Sequence, residues 1–294
     1  MPSDTTTPAS EQALNTSRIL SLAHLSVVDA HPLELIDAAV AGGFNAIGLR
    51  IVPPMPTDSI IPVVGDEQLI RDIIRKKEDS GIRVLDTEAI WLTPDTIPAA
   101  LEEVFEVSAR LGATNVLIVG NDPDEGRQLE NYISLCDMAA RFGLTAALEF
   151  IPYCVTGTLE AAQRLVLGTE RSNAKFLIDV LHLMRSGGGP DSLRTLVPEA
   201  FAYCQLADLS GPRPADTAAL RQEARTDRLC PGQGDAPLAA ILDALPAGLP
   251  LGVEAPVRAH AHLPVVERGR LLGEATRAFL DSYDDSTAAS RSNR

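Results

Sequence analysis

In residues 129–150, LENYISLCDMAARFGLTAALEF, a helical pattern passes through one glycine directly into a strand. Apolar residues recur there at spacings of three and four, the mark of an amphipathic helix. Gly143 stands where a helix end needs a left-handed backbone. The run LTAALEF that follows is apolar almost throughout, as a parallel strand buried on both faces must be. Its one charged residue is Glu149.

The same unit recurs on both sides. Upstream, HPLELIDAAVAGG leads to FNAIGL, EQLIRDIIRKKEDSG to IRVLDTE, and IPAALEEVFEVSARLG to ATNVLIVG. Downstream, TLEAAQRLVLGT leads through ERSNA to KFLIDV, PDSLRTLVPEA to FAYCQLAD, and APLAAILDALPAG to LPLGVEA. ILSLAHLSV supplies a first strand and ERGRLLGEATRAFLDSY a last helix. Strict alternation over eight such units predicts a closed parallel barrel, a single (β/α)8 TIM barrel. No G-x-G-x-x-G follows the first strand, which weakens an open dinucleotide-binding sheet. The barrel is expected over residues 18–284. Residues 1–17 and 285–294 are polar, lack periodicity and read as disordered tails. One connection breaks the rhythm: the Pro- and Arg-rich segment Leu209–Asp235 after the seventh strand reads as a long loop on the catalytic face.

The net charge of −15 repels phosphate backbones and anionic lipid heads, so no nucleic-acid or membrane partner is expected. Apolar runs fall far short of a membrane span. The first residues lack the basic-then-apolar order of a signal peptide, which makes a cytoplasmic location the expectation. Four scattered cysteines form neither a zinc-ribbon nor a disulfide pattern. The partner expected is a small-molecule substrate, with a homo-oligomer left open.

Barrel chemistry gathers at the C-terminal strand ends. Read in order, these carry His24, Arg50, then Asp86, Glu88 and Trp91, then Asn121, Glu149, Asp179 with His182 beyond, Gln205 with Asp208, and Glu254. Glu149, Asp179 and Glu254 each interrupt an apolar run, where a lone carboxylate is costly. Three of them close together would repel one another. One divalent cation bound by Glu149, Asp179, Gln205 and Glu254 resolves this; separate ion pairs to loop arginines are the alternative. Carboxylates and an amide oxygen suit Mn²⁺ or Mg²⁺, with Co²⁺ or Zn²⁺ as further options. His182 lies three residues after Asp179; where the strand turns into a loop there, its ring reaches the same cavity, to orient a ligand or touch a substrate oxygen. Arg50, Trp91, Arg213 and Arg228 are read as lining a pocket for an anionic and planar substrate. His260 and His262 read as a solvated loop.

The set Glu149–Phe150, Asp179-x-x-His182, Gln205–Asp208 (QLAD) and Val253–Glu254, with RLCPGQGD at Arg228–Asp235, resembles the xylose-isomerase-like TIM barrels over roughly residues 18–282. That superfamily includes ketose 3-epimerases, hydroxypyruvate isomerases, inosose-processing enzymes, 3-dehydroshikimate dehydratases and endonuclease IV. The resemblance implies that Glu149, Asp179, the strand-seven residue and Glu254 hold the metal. It implies that Glu149 and Glu254 move protons, and that His182 and Arg228 bind substrate oxygens. Two positions depart from the pattern. Gln205 replaces the commoner His, as in some dehydratase members, and Arg50 replaces a frequent Glu. Arg50 there could pair with a substrate carboxylate, and Glu88 and Trp91 are counted with the substrate-binding residues. The implied activity is a metal-dependent isomerase or epimerase of a hydroxy-ketone, through a metal-stabilised enediolate. The alternatives are a dehydratase of the 3-dehydroshikimate or inosose type and a non-catalytic barrel subunit. An endonuclease would need more histidines and a basic face.

Overall fold

The computed structural model describes residues 18–54 and 58–292. Eight parallel strands close into a barrel in chain order, with β1 pairing both β2 and β8. They are β1 (Leu20–Ala23), β2 (Ala46–Arg50), β3 (Arg83–Leu92), β4 (Asn115–Gly120), β5 (Thr145–Glu149), β6 (Ala174–Asp179), β7 (Phe201–Leu206) and β8 (Leu251–Val253). The helices outside and between them are α1 (Pro32–Ala41), α2 (Glu67–Ser80), α3 (Glu102–Arg110), α4 (Glu125–Arg141) and α5 (Leu159–Gly168). They continue with α6 (Val180–Arg185), α7 (Pro190–Leu193), α8 (Thr217–Thr226), α9 (Leu238–Ala244) and α10 (Val265–Ser292). Among the described residues, no helix is long and apolar enough to cross a membrane.

Helix α2 shows how the local sequence builds one unit. Asp66 caps it by accepting the Leu69 N–H at 2.9 Å, and Leu69, Ile70 and Ile73 form its buried side. Gly81 at φ +70° ends it, and Ile82 N–H returns to the Lys77 carbonyl before β3 begins.

Strand parity positions the site. In β5, Ala146 and Leu148 join the large core between strands and helices, whereas Ala147 belongs to the inner cluster. Glu149 shares the parity of Ala147 and therefore points inward. In β6, Phe176 and Ile178 face the helices and Leu177 faces in, so Asp179 faces in as well. In β7, Tyr203 and Gln205 share the inner face, with Cys204 and Leu206 outside. In β8, Leu251 and Val253 face the helices, which turns the next residue, Glu254, inward beyond the strand's end.

Three sequence expectations change. The segment Leu209–Asp235 is not one loop, because it contains α8. Asp216 caps that helix by accepting the Ala219 N–H at 2.8 Å, and Leu220 and Ala224 bury one side of it. The expected helix 190–200 is split into α7 and a short turn at Pro198–Ala200. Val197 precedes a proline and is held extended. The first strand stops at Ala23, next to the expected end at His24, and His24–Val27 turns tightly. The expected tail 285–294 is helical through Ser292: α10 runs on, and each added residue gains a hydrogen bond without new nucleation. The expected tail 1–17 lies outside the described residues. The four cysteines are free thiols.

Candidate active site

Two buried clusters sit at the C-terminal ends of the strands. The first joins β2 and β3. Arg50 Nε donates to Glu88 Oε2 at 3.3 Å, and Asp86 Oδ2 accepts from the Tyr203 hydroxyl at 3.0 Å. Gly48 on β2 makes room for both carboxylates: a Cβ there would lie 2.6 Å from Glu88 Oε1 and 2.8 Å from Asp86 Oδ1. Burial raises the carboxyls of Asp86 and Glu88; their closeness adds to this for Asp86, while Arg50 opposes it for Glu88.

The second cluster joins β5 to β8. Asp179 caps α6 with Oδ1, which accepts the His182 N–H at 2.9 Å. That cap places His182 on the first turn of a helix rather than in a loop. The ring then reaches back, with Nε2 3.9 Å from Glu149 Oε1. Arg228 enters from beyond α8, fully buried. Its Nη1 reaches Asp179 Oδ2 at 2.5 Å and its Nη2 reaches Glu254 Oε2 at 2.9 Å. Gln205 Nε2 donates to Glu254 Oε1 at 3.2 Å. The ion-pair alternative is therefore partly realised, with Arg228 serving two of the three carboxylates.

Protonation follows from these contacts. Burial, then Glu254 and Asp179 beside it, hold the Glu149 carboxyl well above the usual range. Burial pushes Glu254 up to about 8, with Arg228 opposing. Burial acts the same way on Asp179, but Arg228 and His182 outweigh it and keep that group ionised. Burial lowers His182 to about 4, so its ring is neutral at pH 7.

The arrangement fits a divalent cation. Five buried carboxylates, Asp86, Glu88, Glu149, Asp179 and Glu254, face only Arg50 and Arg228 as buried cations in these two clusters. Negative charge is left uncompensated, or must be protonated away. Glu149 Oε1 and Gln205 Oε1 are buried oxygens without a hydrogen-bond partner, a costly state for any acceptor. Ligating atoms of Glu149, Asp179 and His182 lie within 4.8 Å of one another and form a candidate metal-ligand triad. Hard oxygens with one imidazole nitrogen in reach make a competent donor set.

A cavity of about 180 Å³ opens over this cluster. Glu149, Glu254, His182, Arg228, Arg50, Glu88 and Trp91 all line it, while Asp179 and Gln205 lie behind its wall. Arg213 does not line it; its Nε donates to the Arg185 carbonyl at 2.6 Å. Asn121 is likewise spent on a loop, accepting the Val155 N–H. Asp208 accepts from Gly232 and Ala236 N–H and so braces the turn after Arg228. His260 lines a different cavity and His262 is exposed.

Among the cavity residues that sequence reasoning missed are Asp58, Tyr153, Arg221 and Arg225. Tyr153 packs edge-on to His182, with ring centroids 5.9 Å apart. The one signal available was the spacing Arg221, Ala224, Arg225, Arg228, which is a single face of a helix.

The chain matches the family model for xylose isomerase-like TIM barrels over residues 36–280. It belongs to that family. Among solved structures, it is similar to an IolI protein with a bound zinc atom, at 20% identity and TM-score 0.73, covering 90% of this chain and 98% of that one. It is also similar to a Bacillus anthracis protein described as the probable 3-DHS dehydratase AsbF (13%, TM-score 0.69, covering 88% and 98%). A third is the D-allulose 3-epimerase of a Methylomonas species (15%, TM-score 0.65, covering 90% and 98%). At these identities the likeness speaks for the fold. No curated protein matches the sequence significantly.

Proposed function

We propose that this chain is a divalent-metal-dependent isomerase or epimerase of a hydroxy-ketone. The observation that carries this reading is the placement of Glu149 and Glu254. Both line one cavity, both are buried, and both are held above the ordinary carboxyl range, so either can carry a proton near neutral pH.

Glu149, Asp179, Gln205 and Glu254 would hold the metal, with His182 the further donor in reach. Mn²⁺ or Mg²⁺ suits the oxygens, and Zn²⁺ or Co²⁺ becomes competitive if His182 ligates. When bound, such an ion polarises a substrate carbonyl and acidifies the neighbouring C–H. The chain's own residues do the rest. Glu149, with one oxygen unpartnered, takes the proton from that carbon. Glu254 holds the proton that is returned on the other side. Neutral His182 offers a hydrogen bond to a substrate oxygen. Trp91 and Tyr153 line the cavity with aromatic surface that limits water.

A second reading, a dehydratase, is favoured by Gln205, whose amide oxygen stands free beside Glu254. Proton removal is shared, and loss of a β-hydroxyl replaces proton return. The test is deuterium exchange at the carbon next to the carbonyl, followed by NMR in D₂O with the metal-loaded protein. Exchange without water loss supports the isomerase or epimerase, and exchange with a new alkene supports the dehydratase. No exchange with any hydroxy-ketone in a broad panel would sink both. Metal analysis should find about one ion per chain.

A further inference from the structure

The β7–α9 excursion carries a basic stripe over the cavity. Arg221, Ala224, Arg225 and Arg228 stand on one face of α8 and the turn beyond it, and all four line the cavity. The stripe is held from several directions. Leu220 and Ala224 are buried, Arg228 Nε donates to the Ala224 carbonyl at 2.7 Å, and Glu223 pairs with Arg185 at 2.5 Å. Arg225 reaches across the mouth to Asp58 at 2.7 Å.

The four arginines of the cavity differ in one respect. Arg50 is tied to Glu88, Arg225 to Asp58, and Arg228 to Asp179 and Glu254. Among the described residues, Arg221 has no carboxylate partner. Its guanidinium instead lies over the Tyr153 ring, 5.3 Å from the centroid, and the edge contact of Tyr153 with His182 links it to the catalytic cluster. Stacking on an aromatic face holds a guanidinium in place while leaving its N–H edge free for a planar anion. The protein as a whole carries −15, and Arg50, Arg225 and Arg228 are spent on carboxylates, so Arg221 is the cavity arginine left to attract an anion.

We infer that the substrate is an acid, a hydroxy-ketone bearing a carboxylate, and that Arg221 is the specificity-determining residue that pairs with that carboxylate. A single free guanidinium matches a monoanion. Arg50, which the sequence offered for this role, is already engaged by Glu88. The inference rests on the function proposed above for the same cavity.

The experiment measures binding and turnover separately. Affinities are taken by calorimetry for matched pairs in which a carboxylate replaces a hydroxymethyl group: D-fructuronate against D-fructose, and hydroxypyruvate against dihydroxyacetone. Wild type is expected to bind at least one acid roughly tenfold tighter than its neutral partner, a preference that shrinks with added salt. R221Q should erase the preference and R221K should keep most of it, with thermal unfolding confirming that both variants fold. If no acid outbinds its partner, or if R221Q keeps the preference, the inference is overturned. Deuterium exchange on the same pairs reads the other proposal: acid-selective binding without exchange leaves Arg221 standing and removes the isomerase reading.

Discussion

Arg228 Nη1 lies 2.5 Å from Asp179 Oδ2, with both side chains at or below 1% exposure. Two opposite charges are thus held out of water where each alone would be strongly disfavoured. The second arm of the same guanidinium reaches Glu254, so one residue from beyond β7 ties the ends of β6 and β8.

Replacing Arg228 by Met should therefore cost about 3–5 kcal/mol, because two carboxylates lose their countercharge without leaving the interior. Urea unfolding of metal-free protein measures this. The same variant should gain more stability from added Mn²⁺ than wild type does, since the freed oxygens of Asp179 and Glu254 become available to the ion. An R228M protein as stable as wild type would show that the cluster needs no internal cation.

Glu149→Gln and Glu254→Gln remove a proton acceptor each while keeping shape. Each should lower the exchange rate by roughly 10²–10⁴-fold, the usual contribution of a positioned acid or base. Circular dichroism should remain that of a folded barrel. Near-wild-type exchange in either variant would mean that the acid–base assignment is wrong.

The barrel was legible because each unit repeats the same physics: an apolar helical stripe, a glycine turn and a doubly buried strand. Glu149 and Asp179 stand out in the sequence as carboxylates at the ends of apolar runs, and strand parity turns both inward. Helix α8 was not legible, since its stripe consists of only Leu220 and Ala224 among polar residues in a Pro- and Arg-rich stretch. Tyr153 lies in the irregular segment after β5, where no periodicity fixes a direction. The engagement of Arg228 with Asp179 was beyond reach for another reason. The two are 49 positions apart, and only the closed barrel sets their distance.

Gly48→Ala tests the crowding between β2 and β3. The added methyl would press on Glu88 Oε1 at 2.6 Å and Asp86 Oδ1 at 2.8 Å. Overpacking of this kind should cost about 1–3 kcal/mol. The displaced Glu88 should also loosen its grip on Arg50 and alter substrate affinity. Differential scanning calorimetry and calorimetric binding read the two effects separately.

His24 predicts acid sensitivity. Burial lowers its folded value from 6.5 to about 4. Its Nδ1 accepts the Arg50 N–H and its Nε2 faces the Ala30 carbonyl, so the neutral ring with a proton on Nε2 satisfies both contacts. The unfolded chain takes up the second proton first. Between pH 6.5 and 4 it binds more protons than the folded state, and stability falls as the pH falls through that window. The full loss from this group is about 3 kcal/mol. Urea unfolding at pH 7 and pH 4.5 should show the decline, and H24Q should flatten its slope.

Helix α8 bears on how this protein could change its diet. The residues that could hold an ion stand on β5 to β8 and the first turn of α6, whereas the stripe facing the incoming molecule is borne by one excursion whose far end is braced by Asp208. On the Arg221 proposal, selectivity would sit on this one excursion, which touches the reactive centre through Arg228. Grafting the excursion between Leu209 and Asp235 from another member of the family, with Arg228 kept, should change which molecules enter while Asp179 and Glu254 keep their countercharge.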